Sequence, residues 1–151
     1  MSPTDAQLTA YMERVQTIVA EHGWMIQAVG GSETEPGFCY TVGLSDYDHP
    51  EFIMFGLPFE TAAHLLNDLG ERVRGAVKFS DGVIVDDLLQ NYPVYLMAVI
   101  DPTEHLSVAR KYAGGTVPAL QVVWPDAEGR FPWDPGYPTE YKVMPVLGVA
   151  P

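Results

Sequence analysis

The spacing of apolar residues divides the chain into helical and extended stretches. Leu8, Tyr11, Met12, Val15, Ile18 and Val19 recur every three or four positions, which predicts a helix over residues 4–22 with one buried stripe. Ser2 as N-cap, Pro3 in the first turn and Asp5 behind them fit its start, and His22-Gly23 fits its stop. Three extended stretches follow. Residues 24–29 are apolar and partly β-branched. Residues 37–44 alternate, with Phe38, Tyr40, Val42 and Leu44 on one face. Residues 52–55 form a continuous apolar run suited to a central strand. The links 30–36 and 45–50 are too short for a parallel crossover, so these strands are expected to be antiparallel neighbours.

A second helix is predicted over residues 58–74, with Phe59, Ala62, Leu66, Leu69 and Val73 as its buried stripe and Gly75 at its end. Strands over 83–85 and 94–100 come next. Asp101-Pro102-Thr103-Glu104 then opens a third helix that carries Leu106, Ala109 and Tyr112 and stops at Gly114-Gly115. Residues 120–124 read as a sixth strand. Residues 125–138, rich in proline, glycine and aromatics, read as an ordered loop, and 143–147 as a short edge strand interrupted by Pro145. Consecutive short-linked strands between helices predict an α+β fold. It would be a single layer of mainly antiparallel or mixed sheet, about six strands, covered by three helices.

The length of 151 residues fits one domain. Its expected parts are the helix 4–22, a sheet-and-helix core 24–124, and an aromatic loop with a C-terminal edge segment over 125–151. Twenty acidic residues against eight basic ones give a net charge of −12, which argues against a nucleic-acid or anionic-membrane partner. Residues 1–5 lack the basic region that opens a signal peptide, and no apolar run approaches a membrane helix. The one cysteine makes neither an intramolecular disulfide nor a multi-thiolate metal site. The expectation is a cytoplasmic protein with no cofactor and no metal, whose oligomeric state stays open.

Three stretches carry candidate chemistry. In Tyr40-Thr41-Val42-Gly43-Leu44 with His49-Pro50-Glu51, His49 and Glu51 could serve as an acid–base pair and Tyr40 could hydrogen-bond a ligand. The stronger reading is a turn made by Asp46, Asp48 and Pro50. In Trp124-Pro125-Asp126 and Gly129-Arg130-Phe131-Pro132-Trp133-Asp134, Arg130 could clamp an anion or stack on an indole, or the aromatics could form a lid with Arg130 paired to Asp126 or Asp134. Glu60, His64 and Asp68 share a helical face, but no metal-binding signature accompanies them, so a solvated face is the better reading. Cys39 lies inside a strand, where a lone cysteine is usually a small apolar residue.

These motifs, together with Phe38-x-Tyr40-Thr41-Val42-Gly43-Leu44, Phe55-Gly56-Leu57-Pro58, Leu65-Leu66-Asn67 and Leu120-Gln121-x-Val123-Trp124-Pro125-Asp126, stand in an order that resembles the bacterial domain-of-unknown-function family 4262. The likeness runs from about Trp24 to Gly148. It implies that Tyr40, Gly43, His49, Glu51, Trp124, Asp126, Arg130 and Trp133 belong to the family pattern. It implies no activity, cofactor or catalytic residue. The leading expectation is a binding module for a small polar molecule or a protein partner. Its polar ring would be Tyr40, His49 and Glu51 meeting Asp126 and Arg130, walled by Trp124 and Trp133. The alternatives are a hydrolase-type enzyme using His49 with Glu51 or Asp126, and an acidic protein-interaction or inhibitor protein.

Overall fold

The computed structural model describes residues 4–138 and 144–151. Helix α1 (Asp5–His22) starts at Thr4, whose hydroxyl accepts the Gln7 N–H at 3.1 Å while Gln7 Oε1 accepts the Thr4 N–H at 2.8 Å. This reciprocal pair is a capping box. The start expected at Ser2 and Pro3 lies outside the described residues. Strands β1 (Met25–Val29), β2 (Phe38–Val42) and β3 (Glu51–Phe55) form an antiparallel meander, as their short links require. Helix α2 (Phe59–Arg74) leads to the two-residue strand β4 (Ile84–Val85) and to β5 (Val94–Ala98). The predicted third helix is split. A 3-10 turn at Pro102–Glu104 ends at His105, and α3 (Ser107–Ala113) begins afresh, capped by Gly114 in the left-handed region. Strand β6 (Ala119–Val123) closes the sheet.

The sheet order is β1-β2-β3-β6-β5-β4. It is an α+β fold with a mixed sheet. β3 and β6 run parallel in the centre, with Glu51 opposite Ala119 and Ile53 opposite Gln121, and the other pairs are antiparallel. Helices cover both faces. On one, Leu65, Leu66, Leu69 and Val73 of α2 pack on Phe52, Met54, Leu96, Leu120 and Val122. On the other, Val15 and Val19 of α1 and Ala109 of α3 pack with Leu106 on Tyr40, Val42, Ile53, Phe55 and Val123. Both central strands are buried along their whole length, as strands covered on two faces must be.

Two expectations are corrected. Leu44 does not share the face of Phe38, Tyr40 and Val42 but joins the α2 core. Gly43 adopts φ +111° and turns the chain into a 3-10 turn at Leu44–Tyr47, which breaks the strand alternation. The edge strand over 143–147 also fails. Residue 143 lies outside the described residues, and 144–147 make no ladder. A backbone bond from the Ile100 N–H to the Leu147 carbonyl at 2.9 Å and the side chain of Gln121 hold them instead, Gln121 Nε2 donating to the Pro145 carbonyl at 2.6 Å and Oε1 accepting the Leu147 N–H at 2.9 Å. No helix among the described residues is long and apolar enough to cross a membrane.

One glycine inside α2 carries the contact between that helix and Trp24, the residue before β1. Trp24 is fixed by its indole N–H on Asn67 Oδ1 at 2.8 Å and by the Arg74 guanidinium 4.4 Å above its ring. A Cβ on Gly70 would stand 2.6 Å from Trp24 Cε2. Gly→Ala in a helix interior normally stabilises by about 0.5–1 kcal/mol. At Gly70 overpacking outweighs that gain, and Gly70→Ala is expected to lower unfolding free energy by about 1–3 kcal/mol in urea titrations. A stabilised variant would show that Trp24 is free to move aside.

Candidate functional site

The sequence places candidate chemistry at two points, and the structure shows what each side chain does there. The reversal after β2 points the N–H groups of Gly43 and Leu44 at one spot, and Glu51 fills it. Its Oε2 accepts the Gly43 N–H at 2.9 Å. Its Oε1 accepts the Leu44 N–H at 3.1 Å and the Thr41 hydroxyl at 2.8 Å. Thr41 Oγ1 in turn accepts the Phe52 N–H at 2.9 Å, where the β2–β3 ladder has ended. Glu51 and Thr41 are fully buried. Burial pushes the Glu51 carboxyl up to about 7 against the opposing pull of its donors. His49 is buried between the Phe52 and Phe79 rings. In the tautomer protonated at Nδ1 it donates to the Pro50 carbonyl at 2.8 Å, and Nε2 accepts the Phe79 N–H at 2.9 Å. Burial pushes the imidazole down and keeps it neutral. Both ring nitrogens are therefore committed to backbone groups.

Tyr40 is also buried, and burial pushes its phenol up. Its oxygen accepts the Val108 N–H at 3.1 Å. Val108 is the second residue of α3, whose N-cap Leu106 offers no side-chain acceptor, so Tyr40 caps that helix from the sheet. Cys39 is buried on the opposite face with its thiol pushed up, a setting that disfavours a nucleophilic thiolate.

The tryptophan loop braces itself. Asp126 Oδ1 accepts the Glu128 and Arg130 N–H groups at 2.9 and 2.8 Å, and Oδ2 accepts Arg130 Nε–H at 2.8 Å. The Trp124 indole donates to the Phe55 carbonyl at 2.8 Å. Trp133 stacks on Phe131 and meets Tyr95 edge-on, both at 5.2 Å. The segment is a lid over the core on the α1 and α3 side, with Trp124 lying against both cores.

The structure does not bring the two stretches together. His49 and Glu51 sit at the amino end of β3, whereas Trp124 follows the carboxyl end of β6 and binds the carbonyl at the carboxyl end of β3. Because β3 and β6 are parallel, the length of β3, roughly 13 Å at about 3.3 Å per residue, separates them. The expected ring of Tyr40, His49 and Glu51 with Asp126 and Arg130, walled by Trp124 and Trp133, is replaced by two separate sets of structural contacts. Asp68 of the helical-face set is held by Arg72 at 2.8 Å, and no group of three or more potential ligands occurs among the described residues.

A different site lies at the carboxyl end of β3. A cavity of about 380 Å³ opens between the β1–β2 link (Thr34, Glu35, Pro36), the turn carrying Glu104 and His105, and the strap of Pro145 and Leu147. Phe38 and Phe55 also line it, 5.0 Å apart between ring centroids. The His105 ring stands edge-on to both, at 5.3 and 5.5 Å. Its Nδ1 is buried and has no hydrogen-bond partner among the described residues. Glu35 and Glu104 are exposed. A larger cavity of about 510 Å³ beside Trp24 offers less, because its Asn67 and Arg74 are committed to Trp24, the His22 carbonyl and Glu71.

Sequence reasoning missed His105 because the Asp101-Pro102 start implies a continuous helix around it. The break before Ser107 frees the ring to turn onto the sheet. Phe38 and Phe55 are legible as apolar strand positions. Their meeting with His105 joins distant segments and leaves no local signal.

A family model described as Domain of unknown function (DUF4262) matches residues 18–138. No curated protein and no solved structure matches the chain.

The Glu51 site makes a pH prediction. A carboxyl raised from 4.5 to about 7 on folding binds more protons in the native state than in the unfolded state. Its contribution to stability is then full below about 4.5 and is lost as pH rises towards 7, by about 3 kcal/mol in all. Glu51→Gln should lower stability through a misplaced donor and remove this component. Wild type minus variant, measured by denaturant titration, should fall across that window. A flat or rising difference would mean that the carboxylate is ionised throughout.

Proposed function

Because the chain belongs to the family described as Domain of unknown function (DUF4262), whose description names no activity, we propose a function from the site alone: a binding module that takes a small ligand in the His105 cavity. The observation that carries this reading is the cavity itself, about 380 Å³ between the β1–β2 link, the His105 turn and the strap of Pro145 and Leu147, with the Phe38 and Phe55 rings in its wall. His105 stands in the same wall with a buried Nδ1 that no described residue satisfies, a loss of about 1–3 kcal/mol that a ligand recovers once the ring turns this nitrogen towards the cavity. The position supports the same reading. Helix α2 follows β3 on one face, while the lid after β6 packs on the other. The cavity lies at the carboxyl end of β3, one of the two parallel strands, and that end is where open sheets bind ligands.

A hydrolase reading built on His49 finds no support in the geometry. Its two nitrogens and the Glu51 oxygens are occupied, and Asp126 lies at the other end of the sheet with Arg130. The inhibitor reading rests on net charge alone.

A metabolite thermal-shift screen tests the proposal. A ligand at a hundredfold excess over its Kd should raise Tm by about 5–10 °C. The effect should disappear in His105→Leu and persist in Arg130→Ala. Hits that survive His105→Leu and fail in Arg130→Ala would move the site to the tryptophan loop, and a screen without hits would overturn small-ligand binding.

A further inference from the structure

We infer that the ligand of the His105 cavity carries an alkylammonium group, an inference that rests on the binding reading above and names its chemistry. The walls are the Phe38 and Phe55 rings, with His105 edge-on to both. Aromatic faces attract a cation through their quadrupoles, most strongly where water is excluded. Among the described residues, the charged side chains lining the cavity are Glu35 and Glu104, and no lysine or arginine joins them. The guanidinium groups of Arg72, Arg74 and Arg130 are engaged elsewhere in ion pairs.

The alternatives fit less well. An anionic ligand would meet two carboxylates, with no lysine or arginine lining the cavity among the described residues, in a chain of net charge −12. A hydrocarbon ligand would strip water from the acidic rim. An ammonium group answers both the aromatic wall and the acidic rim. Its charge lies against the rings, and the rim carboxylates accept its N–H groups and balance it. Two carboxylates on one opening suit a short diamine or a lysine side chain, which share this chemistry.

The test compares probes matched in length and differing in charge: 1,5-diaminopentane, 1,5-pentanediol and glutarate, titrated by calorimetry with amide shifts followed by NMR. The diamine should bind about tenfold more tightly than the diol, weaken as salt is added, and shift the amides of Phe38, Phe55 and His105. Glu35→Gln combined with Glu104→Gln, both at exposed positions, should remove most of that advantage and leave diol binding unchanged. Equal or tighter binding of the diol or glutarate at the same amides would overturn the ammonium inference and leave the cavity reading standing. No binding by any of the three, or shifts confined to other residues, would overturn both. A blocked lysine tripeptide separates the sources. Affinity equal to that of the diamine identifies a lysine side chain of a partner, and much weaker affinity identifies a free amine.

Discussion

The parallel pairing of β3 with β6 is the constraint on which the remaining architecture depends. It joins an antiparallel meander, β1 to β3, to an antiparallel group, β4 to β6, and gives the sheet two chemically distinct ends. Parallel strands at the centre must be covered on both faces, and α2 on one side with α1 and α3 on the other supply that cover. The pairing also sets polarity. The turn entering β3 and the segment entering β6 share one end, where the Glu51 N–H donates to the Pro118 carbonyl at 3.0 Å. Phe55 and Trp124 share the other. No rearrangement of loops could bring His49 to Arg130 while that register holds.

Buried polar side chains then fix the irregular segments that hydrophobic packing alone leaves underdetermined. Glu51 holds the reversal at Gly43, Tyr40 starts α3, and Gln121 ties down the strap of Pro145 and Leu147. Each acts through hydrogen bonds to backbone groups that would otherwise be unsatisfied in the interior, a loss of about 1–3 kcal/mol apiece. Two of these braces shape the cavity. Gln121 positions its strap wall, and Tyr40 orders the helix that follows its His105 wall.

Much of the fold is legible in the sequence because its signals are local. The stripe Val15 and Val19, the run from Phe52 to Phe55, and the stop at Gly114 each follow from spacing or backbone preference within a few residues. What escapes is set by contacts distant in sequence. The β3–β6 pairing leaves no local trace, and without it the ends to which His49 and Trp124 belong are undetermined. Leu44 changes faces because one glycine dihedral interrupts the period. Glu51 looks catalytic for the same reason that it is structural: a carboxylate beside a turn suits acid–base chemistry and also suits a cluster of inward-pointing N–H groups. Only its partners decide, and they are Gly43, Leu44 and Thr41.

The two ends of the sheet differ in how completely their polar groups are used. At the amino end, His49 meets a carbonyl and an N–H, and Glu51 meets three donors. Nothing is left for a ligand without breaking an internal bond, which would cost as much as the new bond returns. At the carboxyl end, the imidazole of His105 is packed edge-on to two phenyl rings, and one of its nitrogens is buried with no partner among the described residues. A hydrophobic side chain of similar volume would pack there without that loss. The surplus of acidic charge raises the local concentration of cations around the whole molecule, but it is the cavity at Phe38 and Phe55, rimmed by Glu35 and Glu104, that has the shape and the local charge to hold one.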